Sequence, residues 1–317
     1  MTAAARGGIA AGGITGINHV GQAVRDFAQA EAAYAAMGFR LTPYSAHLGS
    51  AVPGGPVVPI GSGNRCLMFG SDYLEILGAE SPAHPAPRVD GFLARHQGGH
   101  ILCFEAEDLP GVEARFPAAG IPTSGILALQ REVDTPDGPR LARFERLQFA
   151  PRASPAPASS PAPTSSPAPA SSPEGLIQVA RHLTPEFIYQ PRHRAHPNGC
   201  DGLVEAVLVA DDLPALSATY ETYLGASPAR PETGVARFSL PSGQRLTILD
   251  LAAQRRLLPG TLLPPVPGIL AAAYRTPDRA ALERCLAGSG LPVSTLPDGR
   301  RMVPAEACCG LATIFED

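Results

Sequence analysis

One strand–helix phrase is written four times along this chain, and that repeat constrains the fold more than any single residue does. Residues 16–39 (GINHVGQAVRDFAQAEAAYAAMGF) run an apolar strand into an acidic break, then a helical stretch, then Gly38 and a new strand. Residues 202–225 (GLVEAVLVADDLPALSATYETYLG) repeat that order almost position for position, and fainter copies begin at Gly99 and Gly268. Short apolar runs follow, at 39–43, 66–69 and 73–77 after the first copy and at 236–240 and 245–249 after the third. The unit is therefore strand, helix, strand, strand, strand. A single such unit leaves an apolar face and free sheet edges, so it needs a partner. The expected fold class is α+β, with four βαβββ modules paired into two domains.

A chain of 317 residues suits about two domains of roughly 100–200 residues each. With 17% charged residues and a net charge of -4 there is no basic footprint for nucleic acid. No apolar stretch reaches the roughly 18 residues of a membrane span. Residues 1–13 read as a loose tail rather than a signal peptide, and a cytoplasmic protein is expected. The six cysteines lack CxxC spacing, which favours buried packing over redox or metal chemistry. Residues 150–173 (APRASPAPASSPAPTSSPAPASSP) form a disordered or polyproline-like insert with no catalytic role. It interrupts the second module, between strands expected at 141–149 and 186–190. The expected domains are then 14–198, which contains the insert, and 199–317.

The two pairs differ in the chemistry they carry. His19 lies on the first strand of unit one, His100 at the matching place in unit two, and Glu75 in the middle of the apolar run YLEIL. Burying an unpaired carboxylate there would cost several kcal/mol. Two imidazoles and a carboxylate converging from three strands would relieve that cost by binding a divalent metal. The alternative for each histidine is a core residue whose ring nitrogens are satisfied by backbone groups. Asn64 and Arg65 precede a strand on the same wall, where Arg65 could clamp a substrate carboxylate or pair with a surface acid such as Asp72. His182, His193 and His196 cluster between the domains, and Pro191 and Pro197 argue for a linker feature rather than an aligned site. The second pair lacks imidazole: Glu205 stands where the first histidine would be and Ile269 or Leu270 where the second would be, with Asp250 and Glu316 at strand ends. That half reads as structural or substrate-covering. No GxSxG, GxxxxGK[ST] or strand-following GxGxxG is present, which removes hydrolase-elbow, P-loop and dinucleotide readings.

This order of units, with His19, Glu75 and His100 on their strands, resembles the vicinal oxygen chelate superfamily. The stretches INHVGQAVRD, GNRCLMFGSDYLEILG and HPNG (196–199) are similar to those of glyoxalase-like domain proteins. The resemblance covers nearly the whole chain apart from the tail and the insert. It implies paired βαβββ units curled into a cup around a metal that chelates two adjacent oxygens of a substrate. His19, Glu75 and His100 would be ligands. The fourth ligand, a carboxylate on the last strand of unit two, is where the sequence departs: Tyr189 falls there, with Glu186 or Gln190 as alternatives. The implied activity is a lyase or isomerase using zinc, nickel, manganese or iron on a small-molecule substrate, with Glu75 or Glu186 moving a proton. The superfamily offers two further readings, a metal-free binding protein of the bleomycin-resistance type and a non-haem iron ring-cleaving dioxygenase. Four units in one chain can complete two cups as a monomer or a homodimer.

Overall fold

Every module helix starts on an aspartate, and the acidic break of the repeat is its N-cap. Asp26 accepts from the backbone N–H groups of Ala28 and Gln29, and Asp108, Asp212 and Asp278 accept from Gly111, Ala215 and Ala281. A computed structural model describes residues 13–49, 58–79, 86–149, 172–229 and 232–317. Most of the expected tail (1–12) and insert (150–171) lie outside the described residues.

The first module comprises β1 (Ile14–Ala23), α1 (Phe27–Ala36), β2 (Ser45–Gly49), β3 (Val58–Met68) and β4 (Tyr73–Ala79). After a helix α2 (Pro87–Arg95), the second comprises β5 (Gly98–Ala106), α3 (Leu109–Ala118), β6 (Thr123–Thr135), β7 (Gly138–Phe149) and β8 (Leu176–His182), followed by the one-turn α4 (Pro185–Ile188). The third has three strands among the described residues: β9 (Gly202–Ala210), α5 (Leu213–Leu224), β10 (Val235–Ser239) and β11 (Arg245–Asp250), with α6 (Leu251–Leu257) after them. The fourth is β12 (Gly268–Arg275), α7 (Arg279–Gly288), β13 (Ser294–Thr295), β14 (Arg301–Val303) and β15 (Ala312–Glu316). In each module the first strand runs parallel to the last, and the modules join antiparallel as β1–β5 and β9–β12. This is the α+β arrangement of paired βαβββ modules.

Two strand placements differ from the sequence reading. Residues 39–43 form no strand, since Pro43 has no N–H for a ladder, and the first module pairs β2 with β3 instead. The strand expected at 186–190 is α4, because Pro185 suits the first helical position and not a ladder. The last strand of module two is β8, parallel to β5.

One core spans both halves. On one side Phe39 packs against Tyr274 and Phe315, with ring centroids at 5.3 and 5.9 Å, and Phe69 lies 5.6 Å from Tyr274. On the other, Phe104 meets Tyr220 and Phe116 meets Tyr223. The module helices therefore face a shared interior, which burial of these rings stabilises. Polar groups reinforce the seam. Gln22 donates to the carbonyls of Cys308 and Cys309, the N–H of Leu203 donates to Asp72 Oδ1 at 2.7 Å, and Gln244 donates to the carbonyls of Ile17 and Leu203 while accepting from Ile17 N–H. Strand residues not facing this core point to the opposite, cup face of each half.

Candidate functional site

Strand alternation puts Val20, Gln22, Leu74, Ile76, Leu102 and Phe104 toward the helices, and Glu75, Cys103 and Glu105 toward the cup face of the first half. A bulge adds one residue to β1 between Ile17 and His19, so the neighbours Asn18 and His19 lie side by side there. The two are buried with Asn64, and together they anchor one polar network. His19 Nδ1 lies 2.8 Å from Asn18 Oδ1, and Asn18 Nδ2 donates to Glu105 Oε2 and to Tyr189 OH. Tyr189 OH is 3.0 Å from His182 Nδ1. At the other end His19 Nε2 lies 3.8 Å from Glu75 Oε2, Asn64 donates to Glu75 Oε1 at 2.6 Å, and His47 Nε2 lies 3.8 Å from the same oxygen with its Nδ1 3.1 Å from Ser62 Oγ. The His19 ring stacks on Tyr73 with centroids 4.5 Å apart.

Charge states follow from this geometry. Burial, helped by the charges of Arg146 and Arg131, lowers His19 to about 4, so its imidazole is neutral at pH 7. Burial alone would raise Glu75, but His47, His19 and the Asn64 amide overcome it and hold the carboxyl at about 2. Burial pushes Glu105 up to about 7 against the hydrogen bond from Asn18. Asn18 spends its amide N–H groups on Glu105 and Tyr189, so its oxygen accepts and His19 Nδ1 carries the proton. His19 Nε2 and the Glu75 carboxylate, both acceptors, then face one another. That gap suits a group that donates hydrogen bonds, or a cation.

The structure brings together His19, Glu75 and Asn64 from the residues named by sequence, and separates the others. His100 lies under α2, stacked at 4.8 Å on Phe92 and with Nε2 2.9 Å from the His96 carbonyl. The cause is a second bulge: Gly21 and Gln22 pair with Ile101 and Gly99, which leaves His100 as the extra residue and turns it out of the alternation. Arg65 points away from Asn64, donating to the Thr42 carbonyl and lying 3.7 Å from Glu31 rather than pairing with Asp72. Glu186 is solvent-exposed in α4. Tyr189 joins the network and Gln190 instead donates to the carbonyls of Asp134 and Phe187. His196 is a core residue between Phe39 and Phe69, accepting from Arg40 N–H and bonded to the Met68 carbonyl. Among the described residues no group of three or more His, Cys, Asp or Glu side chains is close enough to hold a metal ion. The set His19, Glu75 and His100 therefore does not fit a metal centre.

Sequence reasoning passed over His47 and Glu105, and set His182 aside as a linker feature. Glu105 carried the signal that selected Glu75, a carboxylate between apolar strand neighbours (Phe104 and Ala106). His182 was lost with the misplaced last strand, and nothing local marks His47.

A family model described as a glyoxalase-like domain matches residues 17–224, about two thirds of the chain. The chain belongs to that glyoxalase-like family. The match takes in every residue of the His19 network and ends at the close of α5. No curated protein matches this glyoxalase-like chain. Among solved structures, it is similar to a hypothetical protein from Staphylococcus aureus at 8% identity and TM-score 0.63, covering 95% of this chain and 98% of that one. It is also similar to a triple mutant of 4-hydroxymandelate synthase from Streptomyces coelicolor, at 12% identity, TM-score 0.54, and 96% and 92% coverage. A xylose isomerase-like TIM barrel/4-hydroxyphenylpyruvate dioxygenase fusion protein matches at 12% identity and TM-score 0.53, over 96% of this chain and 50% of that one. At such identities the likeness is one of fold, that of the vicinal oxygen chelate superfamily.

The second half of this glyoxalase-like protein carries different contents on its cup face. Glu205 pairs with Arg245 across β9 and β11 as His19 pairs with Tyr73 across β1 and β4. It is held by Arg300 at 2.7 Å, Arg245 at 3.4 Å and Thr247, while Glu316 takes Arg245 at 2.5 Å. Aliphatic residues from α6, β14 and β15 fill the rest. A surface cavity of about 440 Å³ beside α5, lined by Leu213, Pro214, Val235 and Glu232, contains no histidine.

Proposed function

We propose that the cup of the first half binds a small organic molecule with adjacent oxygens and moves a proton on it, as an isomerase or lyase. The observation that supports this best is the pair Glu75 and Glu105 in one buried network, one held at about 2 and the other at about 7. Two carboxylates driven apart in this way supply a fixed anion and an acid–base group that exchanges its proton near neutrality. Glu105 moves the proton, Asn18, itself bonded to Tyr189, holds its carboxylate in place, and His19 with Glu75 receives a hydroxyl of the ligand between two acceptors. The test is solvent-deuterium incorporation into a panel of 2-hydroxy ketones and 2-hydroxy aldehydes. Exchange that is lost in Glu105→Gln while binding persists is the expected result. Binding without exchange in the wild type would replace this reading with metal-free binding.

A divalent metal enters as a second reading on one observation, although His19, His47 and Glu75 do not stand close enough in this structure to hold the ion. His19 and His47 each direct Nε2 at Glu75, and each has Nδ1 beside an oxygen, Asn18 Oδ1 or Ser62 Oγ, the orientation found in metal-bound imidazoles. Near-stoichiometric zinc, nickel, manganese or iron in protein purified without a histidine tag, lost in both His19→Ala and His47→Ala, would establish it. Metal loss in His100→Ala alone would contradict it.

A further inference from the structure

On the wall formed by β7 and β8, three buried polar atoms face the cup with no partner: Arg146 Nε, Gln148 Nε2 and Gln178 Oε1. They are neighbours by register, since Gln148 pairs with Gln178 and Arg146 with Ala180, whose methyl leaves the guanidinium room. Gln148 is 2% and Gln178 5% exposed, so water does not satisfy them freely. Among the described residues the Arg146 side chain makes no ion pair or hydrogen bond, and neither does that of Arg131 on the adjoining β6. Both charges nevertheless reach His19. Buried donors left unpaired are costly, and half-buried Arg146 carries that cost at its Nε. A wall that keeps two N–H donors and one acceptor open, beside the acceptor pair His19 and Glu75, is shaped for an anion that also carries a hydroxyl.

We propose that the ligand of this cup is a small hydroxy-carboxylate, its carboxylate held by Arg146 Nε and Gln148 Nε2 and its hydroxyl donated to Gln178 Oε1 or to the His19–Glu75 pair. This rests on the reading of the first cup as a small-molecule site and names the class of molecule it takes. Arg131 adds long-range attraction for the anion. Arg65, which faces Glu31 outside the cup, takes no part.

The experiment compares glycolate, lactate and mandelate with their neutral amides, and with 1,2-propanediol and acetoin, by calorimetric titration of the full chain. At least one acid should bind about tenfold or more tightly than its amide. Arg146→Gln should remove that preference, Arg146→Lys restore part of it, and Arg65→Gln leave it unchanged. Acid and amide binding equally, or Arg146→Gln retaining the preference, overturns the proposal. The wild-type comparison does so even if the variants fail to fold. Binding of the neutral compounds without the acids overturns the carboxylate proposal and keeps the small-molecule site. No binding by any compound counts against both.

Discussion

His19 Nε2 and Glu75 Oε2 face each other as two acceptors at 3.8 Å, with no donor supplied by either. Glu75→Gln would place an amide donor in that gap. Because its surroundings hold the Glu75 carboxyl at about 2, the neutral variant is expected to lose about 1 to 3 kcal/mol of stability at pH 7 in thermal unfolding and to lose ligand affinity about tenfold or more. Unchanged binding would remove the gap from the site. The sequence made this pair legible because a carboxylate between apolar strand residues has few bland explanations. It hid the fate of His100 and the side-by-side placing of Asn18 and His19, since each depends on a bulge that one inserted residue creates and no local composition announces.

The repeat itself was legible because each copy joins an apolar strand to a helix through an aspartate, and that residue has a local job. Removing any one cap, Asp26→Ala, Asp108→Ala, Asp212→Ala or Asp278→Ala, should cost about 1 kcal/mol. Because the four caps lie on separate helices, a double variant should show nearly the sum. Denaturant titration of singles and doubles measures both. At β8 the element was misread. The run Phe187-Ile188-Tyr189 has the apolar look of a strand, yet it follows Pro185 and forms α4, while the true strand lies directly after the Pro-rich segment. The consequence reached the site, for β8 carries Gln178 and His182. Tyr189 still enters the network from α4, and Tyr189→Phe, which removes the hydroxyl between Asn18 and His182, should cost about 1 to 2 kcal/mol and disturb ligand binding.

At the scale of the molecule, two domains divided at 198 and 199 remain a proposal, and the shared core gives it a limit. Phe39→Ala, which empties a position packed from both halves, should cost about 3 to 5 kcal/mol. A chain ending at residue 198 would expose Phe39 and Phe69 and should bind a hydrophobic dye and aggregate rather than unfold cooperatively. The seam is also sensitive to pH. Burial raises Asp72 to about 7, above its unfolded value near 3.8, so its contribution is present in acid and is lost as the pH rises through 7. Relative to the wild type, Asp72→Asn should gain stability between about pH 4 and 7, by up to about 4 kcal/mol, and level off above. A gap that is constant with pH would contradict this. Gln244 shows how the seam endures. Across the seam its amide binds only main-chain groups, those of Ile17 and Leu203, which every non-proline residue would present. Side chains along β1 and β9 are therefore free to diverge over evolutionary time without unfastening the two halves.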